Sequence, residues 1–182
     1  MSVCKLFKNL DRSTSCAYSL NEISKIYLAN FEDVISAATG YCDTTAETGL
    51  LVSGISMQPD TVWYEITPAK GSGSYSDTLV ANDNGSKYRV HNVGFTFNGA
   101  YDCSMPSVVD SLALGKFIAV VVNASGDYIM LGRVMGLEAE TDGANWGGQG
   151  DEAAGLTVAL TGNQAEASIP LTQAAIDDVI GA

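Results

Sequence analysis

Residues 117–134 decide the fold, and they read FIAVVVN-ASGD-YIMLGRV. β-Branched and aromatic side chains fill the segments 117–123 and 128–134, as is typical of strands. Between them, Gly126 and Asp127 favour a turn. The stretch therefore predicts a β-hairpin. Because its first strand is almost wholly apolar, we expect that strand to be buried on both faces.

Further strand patterns lie on both sides of this hairpin. Residues 24–29, SKIYLA, predict a first strand, although Ser19 and Glu22 also fit the capping box of a helix. Residues 61–67, TVWYEIT, are bounded by prolines and predict another strand. Alternation of apolar and polar residues predicts three more strands, at 76–80, 88–97 and 156–161. The first two of these are joined through an Asn-Gly turn signal.

Two short helices are predicted. Residues 107–114 follow Pro106, with Ser107 as a capping residue and Gly115 as the stop. The expected buried side of this helix consists of Val108, Leu112 and Leu114. Residues 172–180 fit a terminal helix capped by Thr172. The sum is a mainly β fold: a β-sandwich or barrel-like pair of antiparallel sheets with one or two short helices and long loops.

The length of 182 residues predicts a single domain, placed at 21–182, and the polar, mixed composition of residues 1–20 predicts an N-terminal arm. Residues 39–56 fit an extended loop or an extended hairpin. This stretch contains a short apolar run, Leu50, Leu51 and Val52, between polar neighbours. Exposed apolar patches usually mark interfaces. We therefore expect the run to contact a neighbouring subunit.

Charge is unevenly distributed along the chain. The net charge is −12, and no Lys or Arg follows Arg133, whereas eight acids do. A groove that binds nucleic acid needs a basic stripe, so this class is disfavoured. The acidic part fits either a solvated face that keeps the protein soluble or a wall that repels polyanions. The candidates for such a wall surround a Gly-rich stretch and are Glu138, Glu140, Asp142, Asp151 and Glu152.

No catalytic or metal-binding pattern emerges. His91 is the single imidazole and lies in a strand pattern, so a structural role is expected; pairing with Cys103 has no local support. The four cysteines form no CxxC pair, which disfavours a zinc site. The sequence contains no run of about 20 apolar residues, the length that a membrane-spanning helix needs, so it predicts no membrane span. We expect no enzyme activity, no cofactor, no metal and no membrane association.

Several segments together resemble phage tail tube and related virion tail-ring proteins, especially those of phages of Bacteroides-like hosts. The segments are KIYLAN at 25–30, FEDV at 31–34, WYEI at 63–66, SLALG at 111–115, the hairpin at 117–134 continuing to 139, and GGQGD at 147–151 with the strand that follows it.

The resemblance implies a β-sandwich subunit of stacked, commonly hexameric rings. DNA would pass down the lumen without specific binding, and no active site is expected. The partners would be further copies and other tail or neck proteins, first in the host cytoplasm and then in the virion tail. Tube, terminator, neck and hub stations all stay open. The alternative is a carbohydrate- or other ligand-binding β-sandwich module that uses Trp146 in its Gly-rich loop.

Overall fold

The computed structural model describes residues 22–44, 47–98, 102–145 and 155–181. The strands are β1 Ile23–Asn30, β2 Val34–Thr44, β3 Glu47–Met57, β4 Tyr64–Ile66, β5 Ser74–Ala81, β6 Lys87–Phe97, β7 Lys116–Asn123, β8 Tyr128–Leu131, β9 Leu137–Asn145, β10 Gly155–Gln164 and β11 Ile169–Pro170. The helices are α1 Met105–Leu114 and α2 Gln173–Ile180. The arm predicted at 1–20 lies outside the described residues.

Nine strands form one antiparallel sheet that bends into two halves. The first half has the order β4-β1-β7-β8-β11, and β1 pairs along β7 from Ile23↔Asn123 to Asn30↔Phe117. The second half has the order β5-β6-β10-β9. The halves are joined only where the start of β7 pairs with the start of β9. A separate two-stranded sheet is formed by β2 and β3.

The inner core lies between the two halves of the large sheet. Side chains from both halves contribute to one buried cluster, so the halves face each other as the layers of a β-sandwich. Its members are Ile23, Ile26, Leu28, Val93, Phe95, Leu112, Phe117, Ala119, Val121, Leu131, Leu137, Leu156, Val158 and Leu160. The predicted mainly β, sandwich-like fold is confirmed.

A second cluster, the outer core, covers the opposite face of the first half-sheet. Ile118, Val120 and Val122 of β7 point into it, whereas Ala119 and Val121 point into the inner core. The cover is made by β3 and α2, which contribute Val52, Ile55, Ala175 and Val179. The prediction that the first strand of the hairpin is buried on both faces is therefore confirmed.

Helix α2 confirms its predicted cap, because the Thr172 hydroxyl accepts a hydrogen bond from the Ala175 N–H at 3.4 Å. Helix α1 differs from its prediction. It begins at Met105 with Ser104, and not Ser107, in the capping position. Only Leu112 of the predicted side is buried, while Val108 is 40% and Leu114 is 88% exposed. The helix packs on the inner core by a narrow strip, so residues beside that strip stay in solvent.

Three predicted boundaries also change. Residues 39–56 belong to the paired strands β2 and β3, so the hairpin alternative is confirmed and the loop alternative is wrong.

The strand predicted at 61–67 is shorter in the structure and consists of β4 alone. Asp60 adopts a φ of 64° in a turn before it, and the Trp63 side chain packs in the outer core. Strand β8 ends at Leu131, because Gly132 turns with a φ of 76° and a Cβ there would lie 2.6 Å from the Leu137 side chain.

Candidate assembly surface

The β2–β3 hairpin carries the predicted interface run. Leu50 is 39% exposed and Leu51 is half-buried, so these two can meet a neighbour. Val52 is fully buried in the outer core. For Val52 the expected exposed position is therefore wrong, because the hairpin folds back on β7 and this side chain meets the body of its own protomer. Ile35, 59% exposed, adds another apolar side chain to the hairpin surface.

Polar contacts fix the base of this hairpin. The carboxylate of Asp178 in α2 accepts from the Ile55 N–H at 2.9 Å. Arg133 donates to the Ala37 carbonyl at 3.2 Å and forms a two-point ion pair with Glu166. The hydrogen-bonded carboxylate of Glu166 raises the pKa of Arg133. The hairpin is thus held at its base, and Leu50 lies toward its tip, beyond these anchors.

The second half-sheet presents its outward side as a polar surface, which we call the open face. The residues at its outward positions are Ser74, Ser76, Thr78, Val80, Tyr88, Val90, Asn92, Gly94, Thr96, Glu138, Thr141, Gly143, Thr157, Ala159, Thr161 and Asn163. Cross-strand contacts confirm that they share one side: Thr96 and Thr157 hydroxyls lie 3.1 Å apart, and Asn92 donates to Ser76 at 3.3 Å. At these described positions there is no Lys or Arg.

The predicted acids divide between two sides of β9. Glu138 and Glu140 are exposed, and Glu138 lies 3.4 Å from the Lys116 ammonium group at the rim of the open face. Asp142 points the other way, toward α1. Both of its carboxylate oxygens are shielded from solvent and have no hydrogen-bond partner. Burial, with the nearby charge of Asp110, raises the pKa of Asp142.

A bulge explains the reversal at Asp142. Ala139 pairs with Leu160 while Thr141 pairs with Ala159, so Glu140 is an extra residue in β9. A one-residue bulge changes the side on which the following residues lie. Asp142 therefore does not contribute an exposed charge to the acidic surface. The positions of Asp151, Glu152 and Trp146 lie outside the described residues.

The edges of the large sheet differ in how they are protected. Strand β4 has three residues, and β11 has two residues that include Pro170. Strand β5 has eight residues, no Pro and no Lys, and its pairing with β6 contains no bulge. Natural sheets usually protect an exposed edge by a very short strand, a Pro, a Lys or a bulge. Within the described residues, β5 is thus the edge that another strand can pair with most readily.

His91 lies inside the fold rather than at a cleft. It is 2% exposed, and its Nδ1 accepts from the Gly132 N–H at 3.3 Å, so the neutral ring carries its proton on Nε2. Nε2 lies 3.6 Å from the Asp77 carboxylate. Burial lowers the pKa of His91, although Asp77 opposes the shift. Cys103 is an exposed free thiol at the start of α1, and no hydrogen bond joins it to this buried ring.

Asp77 connects this histidine to two other elements. Its carboxylate accepts from the Arg89 guanidinium at 2.5 Å and from the Ser168 N–H at 2.8 Å. Burial opposes ionisation, but these donors hold the pKa of Asp77 below its usual value. The Asp77 carboxylate is thus occupied by Arg89 and Ser168, whereas the buried Nε2 of His91 has no hydrogen-bond partner and faces Asp77 only at ion-pair distance. The burial of the ring and its contact with Gly132 support the expected structural role for His91.

No grouping of three or more metal-ligating side chains occurs in the described part of the chain. The helices α1 and α2 are both too short to cross a bilayer, and no described helix has the required apolar length. No protein-family model, no curated protein and no solved structure matches the chain.

The open face is a surface that the sequence interpretation did not predict. Its signal was present, because Thr157, Ala159 and Thr161 alternate with buried Leu and Val in β10. The same alternation occurs in β6, where Asn92, Gly94 and Thr96 separate the buried residues. The predicted surface was based on charged residues, so it contained the acids and left out these small polar side chains.

Proposed function

We propose that the chain is a virion structural protein, a tail tube or tail-ring subunit that assembles into rings around a conduit for DNA. The observation that carries the proposal is the open face. Four strands present mostly small hydroxyl, amide and glycine positions, beside Val80, Tyr88 and Val90. Glu138 is the charged member, and the base at the rim of the face, Lys116, is paired with it. Proteins that hold DNA neutralise phosphates with Lys and Arg. A surface on which the rim base, Lys116, is neutralised by Glu138 lets a duplex pass without binding.

Two further features support assembly from copies of this chain. The edge of β5, which has eight residues, no Pro, no Lys and no bulge, offers backbone groups to a neighbouring strand, as β-sheet extension requires. The hairpin offers Leu50 and Ile35 as exposed apolar contacts. The ring is hexameric by the resemblance, and the subunit joins other tail or neck proteins after folding in the host cytoplasm. The lumen wall consists of the open face with Glu138 and Glu140 at its rim.

The assembly experiment uses electron microscopy of the purified full chain over a wide range of concentration. Rings or tubes are expected from the wild type. Leu50→Asp places a charge on the exposed part of β3 and is expected to abolish them with an unchanged unfolding midpoint. Ser56→Asp introduces the same charge at an exposed site near the base of the same strand and should assemble normally. A monomer at every concentration, with or without tail partners, contradicts the proposal.

The conduit experiment asks which side of the ring meets DNA. Thr157→Lys adds a cation to the exposed open face, whereas Gln173→Lys adds one at the exposed start of α2. We expect only Thr157→Lys to make assembled rings retain duplex DNA at low salt, since each phosphate contact adds salt-sensitive affinity. Equal retention by both variants, or retention by Gln173→Lys alone, contradicts the placement of the open face at the lumen.

A further inference from the structure

A groove with a mainly apolar lining lies between α1 and the end of β1. It has a volume of about 480 Å³, and its apolar lining consists of Leu28, Tyr64, Ile66, Val108, Leu112 and Phe117. Tyr64 is 57% and Val108 is 40% exposed, so the lining is open to solvent. This size falls within the range of pockets that take apolar ligand groups.

The N-terminal segment has the pattern that fits such a groove. Val3, Leu6, Phe7 and Leu10 follow the spacing i, i+3, i+4, i+7, which places them on one side of a helical register. Lys5, Lys8 and Arg12 fall on the opposite side of that register. Peptides with this spacing commonly lay their apolar side into a hydrophobic groove.

Charge separates this segment from the rest of the chain. Residues 1–21 contain three bases and one acid, giving +2, and residues 22–182 contain six bases and 20 acids, giving −14. At the groove, Asn30 donates to the Asp33 carboxylate at 2.7 Å, and Ser104 is held by Asp102. Two acids therefore lie beside lining residues. The basic segment is attracted to this surface at the range of the screened field, about 8 Å at physiological salt.

The point where the chain enters the fold and the groove lie at opposite ends of β1. The chain enters the fold at Glu22, whose carbonyl accepts from the Ala124 N–H and whose carboxylate accepts from the Gly71 N–H, both at 2.8 Å. The groove lies at the other end of β1, about 25 Å away at the usual rise per residue. A donor at one end and an acceptor at the other is the arrangement of head-to-tail association.

We infer that residues 3–10 of one copy dock in the α1–β1 groove of a second copy. This inference rests on the proposed self-assembly and names a contact that links successive subunits. Leu6, Phe7 and Leu10 fill the apolar groove, and the basic side faces away from it into solvent, where the field of the acidic surface still acts on it. The contact is heterologous, so it can propagate from copy to copy without closing on itself.

Native cysteines provide the test. Cys4 lies beside the apolar segment and Cys103 is exposed next to the groove residue Ser104. One chain keeps only Cys4 and another keeps only Cys103, the other cysteines being changed to Ser. The two chains are mixed and treated with a short bismaleimide. A covalent dimer is expected from the mixture and not from either chain alone. Failure of the mixture to give this dimer overturns the inference.

Matched variants show whether the link reports docking. Phe7→Asp should lower the yield of dimer about tenfold, the effect of roughly 1.4 kcal/mol. Asn9→Asp adds the same charge away from the apolar side and should leave the yield unchanged. In the groove, Val108→Asp should act like Phe7→Asp, while Ala113→Asp, also exposed on α1, should not. Unfolding midpoints check that all four chains fold. Equal yields within either pair contradict docking.

Other occupants give different results. A chain with both Cys4 and Cys103 that yields only an internally linked monomer assigns the segment to its own groove and overturns the inference. Co-sedimentation with anionic lipid vesicles that is lost in Phe7→Asp but kept in Val108→Asp assigns the segment to a membrane and also overturns it. Rings seen by microscopy without the mixed dimer contradict this contact alone, whereas the mixed dimer without rings contradicts the conduit and leaves the contact standing.

Discussion

The two halves of the large sheet use the same strand pairing for different purposes. In β7, six consecutive side chains are buried, because the inner core covers one face and β3 with α2 covers the other. In β6 and β10, buried Val, Phe and Leu alternate with Asn, Gly, Thr and Ala on the open face. The comparison shows that one half-sheet provides stability and the other provides a surface.

The largest expected effect comes from placing the same charge in each half. Val121→Asp buries a carboxylate in the inner core and should lower the free energy of unfolding by more than about 4 kcal/mol. Thr157→Asp on the exposed open face should change it by less than about 1 kcal/mol. Urea denaturation measures both. Similar losses in the two variants would remove the distinction between the half-sheets.

The second effect compares ion pairs on the covered and exposed sides. Arg133→Met removes the contact to Ala37 and leaves Glu166 without its partner, although the Glu166 side chain is only 17% exposed. The free energy of unfolding should therefore fall by about 2–3 kcal/mol. Lys116→Met removes an exposed pair with Glu138 and should cost about 0.5 kcal/mol or less. Urea midpoints of both variants decide. A Lys116→Met loss as large as that of Arg133→Met would contradict the comparison.

The third effect is a pH dependence from His91, which lies on the inward side of β6. Its folded-state pKa is below the ordinary value of about 6.5, so the unfolded chain binds the proton first as the pH falls. The stabilising contribution is therefore present above pH 6.5 and is lost below it. Stability measured from pH 8 to 5 should fall less steeply in His91→Gln. Identical slopes in wild type and variant would rule out this role.

The smallest effect concerns Asp142, which the bulge turns beneath α1. Its folded-state pKa is raised, so ionisation disfavours the folded chain as the pH rises above the ordinary Asp value of about 4. Asp142→Asn should gain about 0.5 kcal/mol at pH 7, and the gain should vanish near pH 3. Glu140→Gln, at the exposed bulge, serves as the control. A destabilised Asn variant at pH 7 would contradict the buried, unpaired carboxylate.

Local pattern predicted much of this fold, since β1, β6, β7, β10 and α2 each follow from alternation, an apolar run or a cap. Pairings between distant segments could not be predicted in this way. Val52 reads as an exposed residue because nothing nearby in sequence reveals that α2, more than 100 residues later, covers it. Asp142 reads as a neighbour of Glu138 because a single extra residue in β9 leaves no mark in composition.

The candidate assembly surface was predicted only in part for the same reason. Leu50 and Leu51 remain available on the hairpin, and Glu138 and Glu140 remain exposed, but whether they meet a neighbour or a lumen stays a prediction. The open face depends on which side of a sheet is covered. A period of two residues reveals that β6 has two different sides, but not that a second half-sheet lies against one of them.

The pairing of β1 with β7 also affects the order in which strand pairs can form during synthesis. Ile23 pairs with Asn123, so β7 can join the first strand only after about 100 further residues have left the ribosome, and until then the short strand β4 is its one partner among the described strands. The outer cover waits longer still, because α2 ends one residue before the last described position. Folds dominated by such distant contacts form slowly. Strands left unpaired during this interval favour association between nascent chains, so we expect the yield of folded protein to rise when chaperones are present during synthesis.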